Sequence, residues 1–405
     1  MTRFILDAVY LLIALASLPW VLRKKRDGWG ERFGRVEPLP PTVDGRPRIM
    51  IHAVSVGETN LVRSLVSRLA EEADVVLTVT TDTGMARAQE LYAGVAHVRR
   101  YPLDASFSVR RFLNTVEPDA VALVELELWP QFVRECGARS IPVSVVNGRL
   151  SARSFKGYRK LRIFLGRTFR ALSWVGAQDE AYAARFTEMG AQNVDVIGTM
   201  KWDAAPSEAP EGAEQLAIEM GIDRSKPLVV AGSTAPDEHR LLREAMPEGV
   251  QLLCAPRRPE WWDGAADAFP GCVRRTLPGK GDPAAGRFVL DTIGELRDAY
   301  ALADVVVVGR SFVDLFGSDP MEPASLGKPV IIGPNVSDFQ WVVDAMAAEN
   351  AIVRTASDSL ATELARLLDN KDERRALGER ARACVEFHRG ATERYAQKLF
   401  KLLKD

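Results

Sequence analysis

The sequence predicts an α/β protein with two doubly wound, Rossmann-like halves facing a cleft. Three observations carry this expectation. Short apolar runs alternate with segments of helical period over residues 48–199, which implies a parallel sheet covered on both faces. A second alternation of the same kind runs over residues 226–355. Between them "WDAAPSEAPEGAEQ" (202–215) is acidic and rich in Ala and Pro, which is linker composition. The expected organisation is an anchor at 1–26, an N-terminal domain at 47–203, a linker at 204–226, a C-terminal domain at 227–385 and a terminal helix at 386–405. A chain of 405 residues is long enough for two or three domains.

The first segment in order is "FILDAVYLLIALASLPWVL" (4–22), nearly all apolar and just long enough to span a bilayer. Asp7 lies near its outer end and Trp20 suits an interface. "RKKR" (23–26) follows directly, and positive charge there predicts a cytoplasmic C-terminal side. A cleaved signal peptide would carry its charge before the apolar stretch, so an uncleaved membrane anchor is expected. Pro19 leaves monotopic insertion as the alternative.

The Gly- and Pro-rich stretch at 27–47 reads as a connection. "RIMIHAV" (48–54) is an expected strand, and 58–73 carries apolar residues at helical spacing. "DVVLTVTT" (74–81), "HVRRYPLD" (97–104), "DAVALVELE" (119–127) and "IPVSVVNGR" (141–149) continue the strands. Helices are expected at 83–93 and 106–116, with a basic helical region at 154–172. "WVGAQ" (174–178) and "VDVIGT" (194–199) close the first half. In the second half the strands are "KPLVVAGS" (226–233), "VQLLCAPRR" (250–258), "RFVLDT" (287–292), "ADVVVVG" (303–309), "KPVIIG" (328–333) and "NAIVRT" (350–355). Residues 382–405 read as an amphipathic helix.

Composition narrows the function. Hydrophobic content of 47% and charged content of 26% are ordinary for a folded chain. A net charge of −1 gives no basic field for nucleic acid. Cys136, Cys254, Cys272 and Cys384 are scattered without a CxxC pair, and the four histidines are not spaced as metal ligands, so neither a metal nor a cofactor is expected. No GxxxxGK[ST] occurs, and no GxGxxG follows the first strand, which argues against P-loop and dinucleotide enzymes.

Polar residues gather where strands end. In the first half these are Ser55, Glu58, Thr80, Thr81, Glu125, Glu127, Asn147, Arg149 and, in "GTMKWD", Lys201. In the second they are Ser233, Thr234 and Glu238, Arg257 and Arg258, Gly294 and Glu295, and Glu322 in "GSDPMEPASLGKP". Ligands of doubly wound sheets bind beyond these ends. Glu58 in "HAVSVGET" has two open explanations: a helix cap with Ser55, or a catalytic carboxylate at a strand end. Arg257 or Arg258 could clamp a phosphate, and the alternative for Arg258 is a solvated salt bridge.

The motifs "WGERFGRV", "HAVSVGET", "VTTDTG", "ELELWPQ", "NGRLSARSFKGY", "GTMKWD", "PRRPE", "DTIGEL" and "PMEPASLGKPVIIGP" follow one another in an order and spacing similar to a known family. The chain resembles the 3-deoxy-D-manno-octulosonic acid (Kdo) transferases of lipopolysaccharide synthesis. The resemblance implies a GT-B fold, CMP-Kdo as donor and a lipid A precursor as acceptor, at the cytoplasmic face of the inner membrane. It implies Glu58 as base, with Glu127 and Lys201 near the reacting centre. By the same resemblance Pro256 and Arg257, Gly294, Glu295 and Leu296, and Asp319, Pro320, Met321 and Glu322 line the CMP.

Four motifs depart from the family pattern, all in the donor half. "STAPDE" has Ala235 where the family carries His, and "GRS" has Arg310 for Gly. "FGSDPME" (316–322) replaces GGHNPLE, with Ser318 and Asp319 for His and Asn, and "GPNVSDF" replaces GPHTFNF. Two rival expectations follow: a GT-B transferase with another nucleotide-sugar donor, and a silent CMP-binding homologue.

Overall fold

The computed structural model describes residues 28–205, 210–277 and 279–403. They form two compact units: residues up to Ala204 together with Arg389 onward, and Ala205–His388.

The first unit is built on β1 (Arg48–Ala53), β2 (Asp74–Val79), β3 (His97–Arg100), β4 (Ala120–Val124), β5 (Val143–Gly148), β6 (Trp174–Ala177) and β7 (Val194–Val196). Their order is β3-β2-β1-β4-β5-β6-β7, with every pairing parallel. All six residues of β1 are buried, because side chains of alternate parity enter different cores. Ile49 and Ile51 pack with Leu65 and Leu69 of the helix Arg63–Ala70. Met50 packs on the other side with Phe112 and Val116 of the helix Ser106–Val116.

The second unit carries β8 (Leu228–Thr234), β9 (Gln251–Pro256), β10 (Val273–Arg274), β11 (Arg287–Val289), β12 (Val305–Val308), β13 (Val330–Ile332) and β14 (Val353–Arg354). The order is β10-β11-β9-β8-β12-β13-β14, again parallel throughout. In each sheet the chain winds out to one side of the first strand and then to the other, with the switch between β1 and β4 and between β8 and β12; in the second sheet β11 is inserted between β9 and β10. Such a switch point opens a crevice beyond the strands' C-terminal ends.

Three sequence expectations change or fall outside the description. The stretch expected as a linker (204–226) contains the helix Ala213–Met220, which packs against the helix Leu296–Leu302. Ala213, Leu216, Ala217 and Met220 supply its buried face at helical spacing, so apolar periodicity outweighs the acidic flanks. The expected terminal helix (386–405) is two elements: Lys371–His388 ends, Gly390 takes φ 88°, and Ala391–Leu402 begins. Asp203 accepts from the backbone N–H groups of Gly390 (2.7 Å) and Thr392 (2.6 Å), and Tyr395, Ala396 and Leu399 join the core beneath β1 and β2. The last helix therefore belongs to the first unit. The expected membrane anchor lies outside the described residues, among which no helix is long and apolar enough to cross a membrane.

Candidate active site

The first unit gathers carboxylates at its switch point. Ser55 caps the helix Val56–Leu61, its hydroxyl accepting from the Glu58 N–H. Glu58 returns its side chain toward the strand end, where Oε2 accepts from Val54 N–H at 2.7 Å and Oε1 from the Ser55 hydroxyl at 3.3 Å. Glu58 is thus a cap in geometry, in a reciprocal arrangement with Ser55.

A comparison within the molecule tests whether capping is a sufficient account. Glu238 holds the same position in the second unit, three residues into the helix after the first strand. Its carboxylate is buried and accepts four backbone N–H groups, from Ala235 (2.9 Å), Arg310 (2.8 Å), Ser311 (3.1 Å) and Phe312 (3.0 Å). Glu58 is half-buried and accepts one N–H and one hydroxyl. Burial raises Glu58 from its ordinary 4.5 to about 7, against the Val54 N–H, and the Glu125 and Glu127 carboxylates add to the rise. A carboxylate poised near neutrality at a strand end is suited to take a proton.

Glu125 and Glu127 follow β4, the neighbour of β1. Glu125 takes the left-handed conformation (φ 57°), so the chain turns sharply at the strand end. Burial raises Glu127, with the nearby Trp129 indole N–H opposing and Glu125 adding. The Tyr158 hydroxyl, from the helix Ala152–Lys160, is also pushed up, by burial and then by Glu127. Lys201 sits on the single turn Met200–Ala204, which packs against the helix carrying Glu58. Asn147, left-handed at φ 53°, holds this turn by accepting the Met200 N–H at 3.1 Å. Beside Glu127 a groove of about 580 Å³ is lined by Leu128, Trp129, Tyr158, Leu161, Leu165 and Arg153.

In the second unit Tyr300 is the organising side chain. It lies buried against β8, close enough to Gly232 that a Cβ there would meet its hydroxyl at 2.0 Å. Burial raises it first; Glu322 and Asp319 raise it further, while Ser233 and Arg257 oppose. One hydroxyl therefore senses groups at the end of β8 and following β9 and β12. Glu322 is itself raised by burial and then by Asp319, with Arg297 opposing. Asp319 Oδ1 accepts from Met321 N–H at 2.8 Å and starts the turn Met321–Ser325.

Pro256, Pro320 and Met321 are buried, whereas Arg257 and Gly294 (φ 101°) are exposed. Leu296 opens the helix Leu296–Leu302, preceded by Glu295 as its cap residue. The Glu295 carboxylate is engaged by Arg275 (2.9 and 3.0 Å) and by the Thr292 hydroxyl, so it acts locally as an anchor. Arg258 lies 3.7 Å from exposed Glu260 and stacks over Trp261, as expected for a solvated salt bridge. Tyr158, Tyr300 and Arg297 were not singled out from sequence. Helical burial is the ordinary account of a Tyr or Arg at such spacing, and only the fold brings them to strand ends.

Comparison with known proteins shows the family and the fold. Residues 27–204 match the family model of 3-deoxy-D-manno-octulosonic-acid transferase, and residues 287–383 match that of glycosyl transferases group 1. The 3-deoxy-D-manno-octulosonic acid transferase of Bordetella pertussis is 32% identical, with 93% of each chain covered. That of Haemophilus influenzae is 30% identical over 88% of this chain and 86% of its own. Among solved structures, Anabaena HepE in complex with UDP-glucose is similar at TM-score 0.55 and 14% identity, covering 88% of this chain and 99% of that one. The UDP-GlcNAc 2-epimerase of Neisseria meningitidis is similar at TM-score 0.56 and 11% identity, covering 87% and 100%. These two likenesses bear on fold alone, the pair of Rossmann-like sheets of GT-B proteins.

Proposed function

The chain belongs to the 3-deoxy-D-manno-octulosonic acid transferase family, and on that premise we propose that it transfers Kdo from CMP-Kdo to a lipid A precursor with inversion at the anomeric carbon. The observation that carries the assignment of the base is Glu58, half-buried, with few hydrogen bonds and held near neutrality. Glu58 takes the proton of the acceptor hydroxyl while that oxygen bonds to the anomeric carbon. The bond from the anomeric carbon to the CMP phosphate oxygen breaks, and CMP leaves with the electron pair. Oxocarbenium character in the transition state is the general expectation for glycosyl transfer. Glu127 positions the acceptor, and Lys201 supplies positive charge beside the developing anion.

Arg257, Asp319, Glu322 and the backbone of residues 294–296 hold CMP. The groove lined by Trp129, Tyr158, Leu161 and Leu165 supports a lipid acceptor, because its walls are apolar and Arg153 stands at its side. Ile163 and Phe164, 88% and 77% exposed on the adjoining helix, support approach to a bilayer. The apolar N-terminus followed by "RKKR" supports an anchor that leaves both units in the cytoplasm, at the inner membrane. Incubation of the full chain with CMP-Kdo and a tetra-acylated lipid A precursor tests the proposal. Folded protein that transfers no Kdo would overturn it.

A further inference from the structure

The second unit carries a set of metal-ligand side chains that the reaction leaves unused. Cys384 and His388 are four residues apart on the helix Lys371–His388 and so project from one face. Glu349 is the C-cap residue of the helix Gln340–Ala348. One ligand atom from each of these residues lies within 4.8 Å of the other two, with Cys384 buried, His388 half-buried and Glu349 exposed. His388 Nε2 is 3.5 Å from Glu349 Oε1.

Contacts outside the triad hold it together. Arg380, one turn before Cys384, donates from Nε to the Asn350 carbonyl at 2.7 Å. Asn350 is left-handed at φ 52°, and Ala351 N–H returns to Met346 O at 2.8 Å. The turn bearing Glu349 is therefore fastened to the helix bearing Cys384 and His388. Sequence spacing could not find the site, because Glu349 arrives from another element.

We propose that Glu349, Cys384 and His388 form a zinc site. One thiolate, one imidazole and one carboxylate suit zinc, whereas magnesium and calcium take oxygen ligands. Zinc–ligand bonds of about 2.0–2.3 Å set tetrahedral ligands roughly 3.5 Å from one another, the distance at which His388 and Glu349 already stand. The exposed Glu349 side leaves a fourth position for water. Before metal binds, burial and then the Glu349 charge push the Cys384 thiol up to about 12. Coordination deprotonates such a thiol. The S–H bond breaks, the S–Zn bond forms, and one proton per metal passes to solvent.

The test uses the full chain in detergent, stripped of metal and titrated with Co²⁺ as a spectroscopic probe, then with Zn²⁺ as competitor. The expected result is one Co²⁺ per chain, a thiolate-to-cobalt charge-transfer band that Zn²⁺ abolishes, and a higher melting temperature with Zn²⁺. Cys384→Ser should remove the band, and His388→Ala and Glu349→Gln should each weaken binding at least ~10-fold. A missing one-to-one band overturns the site, as does a band that survives Cys384→Ser. Glu349 is exposed, so Glu349→Gln keeps the fold, and unchanged Co²⁺ affinity in that variant also overturns the proposal.

Discussion

Glu58→Gln separates the role of base proposed for this side chain from the capping role that the structure shows. As a base, Glu58 takes a proton, and Gln cannot; the rate should fall about 10²- to 10⁴-fold, or ~3–5 kcal/mol of barrier. As a cap, Glu58 accepts the Val54 N–H at 2.7 Å, which the Gln carbonyl oxygen can replace. Stability adds a second discriminator. Raising a carboxyl from 4.5 to about 7 disfavours its ionised form by ~3 kcal/mol at full weight, reduced to ~1–2 kcal/mol for a half-buried group screened by solvent. Between those two pH values the folded chain keeps the proton that the unfolded chain has released. Wild-type stability from this group is therefore present below pH 4.5, declines as pH rises and is lost above about 7. Gln carries no such penalty, so at pH 8 the variant should be as stable as wild type or more so, by up to ~1–2 kcal/mol, while nearly inactive. The assay is initial Kdo transfer at pH 8, paired with melting curves at pH 5 and 8. Turnover within a few-fold of wild type, with a matching melting curve, would refute the base and leave Glu58 a helix cap.

Other perturbations follow from the donor-side unit and the N-terminus. Arg257→Ala should weaken CMP binding by ~10- to 100-fold, the value of a charge-assisted bond, without shifting the melting curve of the exposed site; Glu295→Gln should lower the melting temperature slightly by loosening Arg275. Gly232→Ala places a Cβ 2.0 Å from the Tyr300 hydroxyl and should cost ~1–3 kcal/mol, read as a drop in melting temperature, and an unchanged curve would mean that Tyr300 is not seated against β8. Removing residues 1–26 should yield soluble protein that still binds CMP by thermal shift, and an aggregating product would mean that the apolar segment packs on the globular part.

The two sheets were legible because their strands are buried on both faces and read as continuous apolar runs, as in "VVVV" of β12 and "AVALV" of β4. β10, two residues long at a sheet edge, leaves no such trace. The helix Ala213–Met220 was hidden by its acidic, Pro-containing neighbours, although Leu216 and Met220 carry its period. Glu58 was legible as a candidate, but sequence could not choose between cap and base, since both need a carboxylate at that position. The contrast with Glu238 narrows the choice, and it exists only once four N–H groups converge on one carboxylate and not on the other. Tyr300 was illegible for a related reason: its neighbours come from three separate strand ends.

The departures from family pattern in the donor half take on a physical meaning from the backbone. Arg310 and Phe316 stand where the family has Gly, and both are left-handed, at φ 58° and 67°. A non-Gly residue in that conformation costs about 1–2 kcal/mol, so the family's glycines have a conformational reason and this chain bears the strain. The loop keeps its path because other bonds hold it. Arg310 donates its N–H to Glu238 and its guanidinium to the Leu315 carbonyl (2.8 Å), and Gly317 N–H returns to Arg310 O at 3.0 Å. The Ser311 hydroxyl accepts Gly333 N–H at 2.8 Å, tying the loop to the end of β13. These two changes therefore alter side chains on a backbone that is still held. Ser318 and Asp319 differ in kind. The Ser318 hydroxyl is buried and has no hydrogen-bond partner among the described residues, and Asp319 adds a negative charge that raises Glu322. Ser318 and Asp319 adjoin Glu322, in the loop proposed to hold CMP, so the second pair is expected to bear on the donor more directly than Arg310 or Phe316.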